Sequence, residues 1–254
     1  MILWNTYDYT KVPLVLEKKL AGDGSRLQNG GLIDQVMVDY SCTHPAWASS
    51  GLKEKPFIPD PTISGTVAFD RGEGVKEVGT YIPGNFVCTV TEHSVDTFGG
   101  TVTVGYEGLA EDNSTVTTFT PEPESGMRNN KLQFTIDRDL AANSEKKPLS
   151  NGAHEWVSTG TQHLTLTNTY ERPRASLTAT FGIDTSMEGD VSPWINDPEG
   201  GIELVGECAD PDVPEIKDPI RGTVSQNGEI RLHEDGVDLI SGSECTFTTC
   251  LLYT

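Results

Sequence analysis

An internal repeat is the feature that most constrains what this chain can fold into. Residues 168–177 read NTYERPRASL and residues 5–14 read NTYDYTKVPL, so Asn-Thr-Tyr stands at the same distance before a strand-opening Leu in both copies. Ordered matches of this kind indicate tandem copies of one module rather than a single large domain. Three further matches keep the same order: DYSC ending at Cys42 with VGEC ending at Cys208, ISGTV from Ile63 with IRGTV from Ile220, and IPGNFVCTVTE ending at Glu92 with ISGSECTFTT ending at Thr249.

The repeat divides the chain into three segments. Residues 1–11 are interpreted as the terminal strand of a preceding module, residues 12–172 as a complete module and residues 173–254 as a second, incomplete one. Neighbouring modules of the same protein are therefore the expected partners. A further hypothesis makes residues 1–11 a donor strand that completes a module of another chain, which would produce a self-associating, head-to-tail fibre.

The residue pattern within the modules predicts an all-β fold. Short apolar and Thr-rich runs alternate with polar residues and are separated by Gly, Pro, Asn and Asp clusters, as in half-buried strands. The 35% hydrophobic content is typical of a globular chain. No apolar run reaches the roughly 18 residues that a membrane-spanning helix needs, so no membrane span is predicted in this chain.

The charge of the chain excludes one class of partner. With 38 acidic against 18 basic residues, the net charge is −20, which repels a phosphate backbone, so nucleic acid is not expected as a partner. The acidic residues are scattered through loops, and no cofactor is predicted. Segments such as DPDVPEIKDP, from Asp210, could bind calcium but match no calcium-binding motif, and a Pro-stiffened loop is the commoner role for such a segment.

Four of the five cysteines occupy matching places in the repeat, which favours structural disulfides and an oxidising compartment. We predict the pairs Cys42–Cys88 and Cys208–Cys245, with buried free thiols as the alternative. Cys250 has no counterpart in the repeat. Three alternatives stay open for it: a free thiol, a partner in an intermolecular disulfide, or an alternative disulfide partner of Cys245. No Cys or His spacing typical of a zinc site occurs, so no metal site is predicted.

Three polar residues fall on otherwise apolar strand faces. By the alternation of strands, Lys18 shares a face with Leu14, Leu16 and Leu20; Glu92 with Phe86, Cys88 and Val90; and Asn168 with Leu164, Leu166 and Tyr170. Burying a lysine and a glutamate singly is costly, so such residues are normally paired, neutralised or functional. The alternative is a register in which Lys18 is exposed and Asn168 merely begins a turn.

The K-x-x-x-G of the opening strand, the T-E after a central strand and the final T-N-T-Y resemble collagen-adhesin B-type (Cna-B-like) modules of Gram-positive pilins and adhesins. The CTVTE and LTNTY phrases are most similar to a disulfide-containing relative found as tandem repeats in actinobacterial surface proteins. The resemblance implies tandem immunoglobulin-like β-sandwich modules on an extracellular, wall-associated protein. It also implies a spontaneous isopeptide bond between Lys18 and Asn168, assisted by Glu92.

The second module departs from that pattern. Phe181 takes the place of Lys18 and Thr249 that of Glu92, so both reactive positions are lost and the disulfide alone is expected to stabilise this module.

A structural stalk of an extracellular bacterial surface protein or pilus-like fibre is the predicted function. The alternative is an adhesin module that binds a host protein or glycan. Its ligand would contact the segment between Glu92 and the closing strand. This segment is longer than the remaining strands of a compact sandwich need, so we predict that it contains an insertion, for which a flexible spacer is the commoner role. No catalytic motif was found, so turnover beyond one intramolecular isopeptide reaction is not expected.

Overall fold

A computed structural model describes residues 10–45, 62–78, 81–108, 127–128, 130–137, 140, 144–150, 152, 154–175, 202–224, 230–232 and 239–249. These residues are mostly strand with almost no helix, which confirms the all-β prediction, and α1 (Gly24–Asn29) is the one helix whose full span lies among them. Within the described part of the chain, no helix has the length and apolar character that crossing a bilayer requires.

Two compact units make up the chain, Met1–Glu171 and Arg172–Thr254. The strands of the first unit are, in chain order, β1 (Lys11–Val12), β2 (Leu14–Gly22), β3 (Gln35–Thr43), β4 (Thr62–Asp70), β5 (Gly74–Glu77), β6 (Ile82–Pro83), β7 (Val87–Glu92), β8 (Thr101–Glu107), β9 (Met127–Arg128), β10 (Lys131–Thr135), β11 (Ser144–Pro148), β12 (His154–Ser158) and β13 (Gln162–Glu171).

The first large sheet of this unit has five strands in the order β5-β2-β13-β8-β9. Its central feature is that β2 and β13, from opposite ends of the unit's sequence, lie side by side and parallel. Gly22 ends β2 at a φ of 62°, and a Cβ there would strike the carbonyl oxygen of Tyr170 on β13. Glycine at this position therefore allows the two strands to remain close up to the end of β2.

The second large sheet has four antiparallel strands in the order β10-β7-β3-β4. Burial alternates along β7, where Cys88, Val90 and Glu92 face the interior, and β3 alternates in the same way around Val38 and Cys42. The apolar residues of the first sheet alternate likewise, so each large sheet has one buried face.

A third, smaller sheet has the order β11-β12-β1-β6. Lys11, the last residue of the predicted segment 1–11, lies in β1 and pairs with Pro83 and Val157 of the first unit. Residues 1–9 lie outside the described residues, so the donor-strand hypothesis stays a prediction.

The segment between Glu92 and the closing strand contributes to both large sheets. β8 pairs with β13, and β10 pairs with β7. These two strands are integral to the sheets, because their alternate residues, such as Val102, Val104, Leu132 and Phe134, are buried. An insertion in the rest of the segment stays a prediction. Residues 109–126 of the same segment lie outside the described residues.

The second unit has a smaller described core. Its strands are β14 (Arg174–Ala175), β15 (Ile202–Ala209), β16 (Lys217–Val224), β17 (Ile230–Leu232), β18 (Leu239–Ile240) and β19 (Glu244–Thr249). Four of them form a sheet in the order β17-β16-β15-β19, and β14 pairs with β18. Cys208, Ile220 and Leu239 form a buried cluster against which Cys245 and Phe247 pack.

Candidate functional site

Three side chains from separate strands of the first unit meet in its interior: Lys18 from β2, Glu92 from β7 and Asn168 from β13. Their relative exposures are 1%, 1% and 0%. Lys18 and Asn168 belong to the five-stranded sheet and Glu92 to the four-stranded one, so the cluster lies where the buried faces of the two sheets meet. Lys19 is exposed, so it is Lys18 that faces inward, as the alternation predicts.

The carboxyl group of Glu92 contacts both other members. Lys18 Nζ lies 3.4 Å from Glu92 Oε2, and Asn168 Nδ2 donates a hydrogen bond to Glu92 Oε1. Lys18 Nζ also donates to the carbonyl oxygen of Leu166 at 3.3 Å. Asn130 donates from its side chain to the Glu92 carbonyl oxygen at 3.2 Å, and its own carbonyl accepts from the Glu92 amide at 2.8 Å. These backbone contacts fix the end of β7 from which the carboxyl group projects.

Two polar atoms of the cluster are buried without a hydrogen bond: Glu92 Oε2 and Asn168 Oδ1. Leaving a buried acceptor unsatisfied costs roughly 1–3 kcal/mol, so native proteins contain few such atoms. Of the two, Glu92 Oε2 still has the 3.4 Å contact with Lys18, whereas Asn168 Oδ1 has no hydrogen bond with the described residues.

Burial disfavours the charged form of both ionisable members. It lowers the pKa of Lys18 to about 8, with the carboxylate of Glu92 acting in the opposite direction. Burial also raises the pKa of Glu92, opposed by the charge of Lys18 and by the hydrogen bond from Asn168. Because both shifts favour the neutral forms, the proton can pass from the ammonium group to the carboxylate and leave a nucleophilic amine.

The cluster therefore combines a nucleophile, an electrophilic carbonyl carbon and a proton donor in one enclosed space. Side chains held by packed strands react as if at very high concentration, because their encounter costs no further translational entropy. The described residues contain no group of three or more His, Cys, Asp or Glu side chains that could hold a metal ion.

Both predicted disulfides are present. Cys42 pairs with Cys88 and Cys208 with Cys245, and in each case the two residues are direct partners on neighbouring antiparallel strands. Cys250 lies outside the described residues, as does Phe181. Thr249 is the last residue of β19.

The second unit contains a buried ion pair that the sequence pattern did not predict. Arg172 donates two hydrogen bonds of 2.9 Å to the carboxylate of Asp210 and a third to Asp212. Asp210 begins the acidic segment considered for calcium, yet in the structure its carboxylate binds a guanidinium group and the backbone amides of Asp212 and Val213. The available signal was an arginine that follows the NTYE of residues 168–171, where the first copy of the repeat has Tyr9.

Two tyrosines lie near the cluster, of which the strand alternation had placed Tyr170 on the face of Asn168 but had not singled out Tyr106. Burial and then the charge of Glu92 raise the pKa of Tyr106, and the same two causes, in the same order, raise the pKa of Tyr170 to about 12. The alternation of VTVGYE, which puts Tyr106 on the face of Val102 and Val104, could have identified the first.

In comparisons with known proteins, no family model, no curated protein and no solved structure matches the chain. Geometry and chemistry therefore have to carry the functional conclusion.

Proposed function

We propose that this chain is part of an extracellular stalk of tandem immunoglobulin-like β-sandwich modules, in which the first unit locks itself with an amide bond between Lys18 and Asn168. The observation that carries the proposal is the buried contact of Lys18, Glu92 and Asn168, which come from the opening strand, a central strand and the closing strand. The resemblance to collagen-adhesin B-type modules supports the same reading.

The first step would be attack of the neutral Lys18 amine on Asn168. Nζ forms a bond to Cγ, and the proton of the Glu92 carboxyl group passes to Oδ1. In the structure Nδ2 faces Glu92, and a half-turn of the amide brings Oδ1 to the same carboxyl group. Protonation of the oxygen stabilises the tetrahedral intermediate, because the charge that would develop there is neutralised.

The second step would expel ammonia. The Glu92 carboxylate takes a proton from the attacking nitrogen and delivers it to Nδ2, and the bond between Cγ and Nδ2 breaks. The hydroxyl proton returns to Glu92 as the carbonyl re-forms. One amide and one ammonia result from one amine and one amide, and Glu92 ends as it began. The reaction would occur once per chain, so this chemistry involves no turnover.

The position of the bond suits a load-bearing module. Because β2 and β13 are parallel neighbours, a pull on the two ends of the unit shears these strands against each other. A covalent bond between Lys18 and Asn168 would carry that load directly and shield the chain between them. By chain entropy, a cross-link that closes so long a loop stabilises the fold by about 5 kcal/mol.

An extracellular location is supported by the two disulfides, since such bonds persist in oxidising compartments. Wall association, ligand binding through the segment after Glu92 and assembly into a fibre stay predictions.

Intact mass of the folded full-length chain, measured after denaturation and reduction, tests the cross-link. We expect a mass lower than that of the sequence by one ammonia, and a branched peptide that joins Lys18 to Asn168 after proteolysis. Lys18→Ala should have the full mass of its own sequence. Lys19→Ala, on the exposed side of the same strand, should retain the loss of ammonia. A folded wild-type chain whose mass equals that of its sequence, with no loss of ammonia, would refute the proposal.

A further inference from the structure

We propose that Tyr106 is a positioning residue of the cross-linking reaction, whose hydroxyl holds the Glu92 carboxyl group with Oε1 toward Asn168 and Oε2 toward Lys18. This inference rests on the proposed Lys18–Asn168 reaction and assigns a further residue to it.

Strand register places Tyr106 in the same row as the nucleophile. Leu166 on β13 pairs with Lys18 on one side and with Tyr106 on the other. Direct partners on neighbouring strands project from the same face of a sheet, and Leu166 is fully buried. Tyr106 therefore projects from the face that carries Lys18 and Asn168, toward the sheet that supplies Glu92.

The polar atoms that lack a hydrogen bond are complementary. The Tyr106 hydroxyl is buried and makes no hydrogen bond with the described residues, and Glu92 Oε2 has only its 3.4 Å ion-pair contact with Lys18. One is a donor and the other an acceptor, and each is costly to bury alone. Since the raised pKa of Tyr106 keeps the phenol protonated at neutral pH, it stays a donor throughout the reaction.

The reaction gives the two oxygens of Glu92 different tasks. Oε1 must present a proton to Asn168, whereas Oε2 must face the Lys18 nitrogen. A donor on Oε2 occupies a lone pair of that oxygen, so the carboxyl proton is held on Oε1, where it faces Asn168. The ionisable groups that act on Glu92 from the packed strands are Lys18 on β2, Tyr106 on β8 and Tyr170 on β13. Tyr170 interacts with the side chain of Asn168. Of the two tyrosines it is therefore Tyr106 that we assign to Oε2, where it would donate alongside Lys18.

The test compares cross-linking rates during refolding. The full chain, purified in denaturant with its unreacted mass verified, is refolded, and the loss of ammonia is followed by intact mass. We expect Tyr106→Phe to react about tenfold more slowly than wild type, a smaller loss than removal of a general acid produces. Tyr81→Phe removes the hydroxyl of a half-buried tyrosine that packs against Lys147, and it should react at the wild-type rate.

A pH profile separates positioning from a merely structural role. A phenol that donates to Glu92 favours the carboxylate, so its removal raises the pKa of Glu92 and leaves the carboxyl group protonated to higher pH. We therefore expect the alkaline limb of the pH–rate profile to move to higher pH in Tyr106→Phe. A packing defect alone would slow the reaction without moving this limb.

The outcomes distinguish the two proposals. Loss of ammonia from wild type, with an unchanged rate and alkaline limb in Tyr106→Phe, would overturn the role of Tyr106 and leave the cross-link intact. No loss of ammonia from wild type would overturn both. If Tyr106→Phe does not fold, Tyr106→3-fluorotyrosine provides the test instead. Its hydroxyl is a stronger donor and should move the alkaline limb to lower pH. A limb at the wild-type pH would refute the assignment.

Discussion

The two units share a three-stranded core but differ in the polar groups they bury. β4-β3-β7 in the first unit and β16-β15-β19 in the second have the same order and the same directly opposed disulfide. The first unit buries Lys18, Glu92 and Asn168, whereas the second buries Arg172 against Asp210. A guanidinium group stays charged at any accessible pH and cannot act as a nucleophile, so its pairing is purely electrostatic.

The comparison indicates that the same disulfide-linked, three-stranded arrangement is compatible with two ways of burying charged groups. In the first unit both ionisable groups can become neutral, which allows chemistry between them. In the second, a bidentate pair with further hydrogen bonds compensates for the loss of solvent. We therefore expect the polar cluster to stabilise the first unit and the ion pair to stabilise the second, each independently of the other.

The largest effect is expected from loss of the proposed cross-link. Lys18→Met should lower the free energy of unfolding of the first unit by about 5 kcal/mol, because the closed loop is lost. Thermal unfolding followed by calorimetry should show the first unit's transition shifted and the second unit's unchanged. Lys19→Met is the control and should leave both transitions in place. Equal shifts of the two transitions would contradict independent stabilisation.

Loss of a disulfide should affect whichever unit contains it. The bridges span 46 and 37 residues, so chain entropy gives each about 4 kcal/mol. Replacing Cys208 and Cys245 by Ala should destabilise the second unit by nearly this amount. The same change at Cys42 and Cys88 should have a smaller effect, because the proposed amide already restricts that part of the unfolded chain. The proteolysis rate of each unit, measured in the two double variants, gives the loss of stability. Equal losses in the two units would count against the proposed amide bond.

The next largest loss of stability is expected from breaking the buried ion pair of the second unit. Arg172→Met removes the cation that faces the buried carboxylate of Asp210 and should cost about 3 kcal/mol. Urea unfolding monitored by hydrogen exchange can assign the loss to the second unit. Lys217→Met, which removes an exposed ion pair with Glu207, should change stability by less than about 1 kcal/mol. If the two variants were equally stable, the buried pair would have no special role.

The smallest effect is a pH dependence confined to the first unit. In Asn168→Ala, which cannot cross-link, Lys18 keeps a folded-state pKa lowered to about 8 from 10.5. Between these values the unfolded chain binds more protons, so stability should rise with pH, on the order of 1 kcal/mol per pH unit. The wild-type unit, whose Lys18 nitrogen is an amide in the proposed product, should lack this rise. Denaturant titrations across that range measure it.

Strand alternation was enough to predict which residues face inward. It identified Lys18 rather than Lys19 as the buried lysine, and it placed Glu92 and Asn168 on buried faces. The repeat predicted both disulfides, because the cysteines recur at matching positions. These successes share a cause: side-chain direction has a period of two along a strand, which is a local property that the sequence carries.

The missed features depend on which strands become neighbours. Nothing local to Tyr106 indicates that β8 pairs with β13 beside the cluster, and nothing local to Arg172 identifies Asp210 as its partner. For the same reason, the sequence did not indicate which residues between Glu92 and the closing strand form β8 and β10 of the two large sheets.

The sequence by itself therefore determined the all-β class, the repeat, the disulfide pairs and the identity of three buried polar residues. Only the tertiary structure decided that β2 and β13 are parallel neighbours, and that their lysine and asparagine meet a glutamate from the other sheet. Burial is encoded by short-range periodicity, whereas pairing is decided by contacts between residues far apart in the chain. The distances and pKa shifts on which the proposed chemistry depends arise from that pairing.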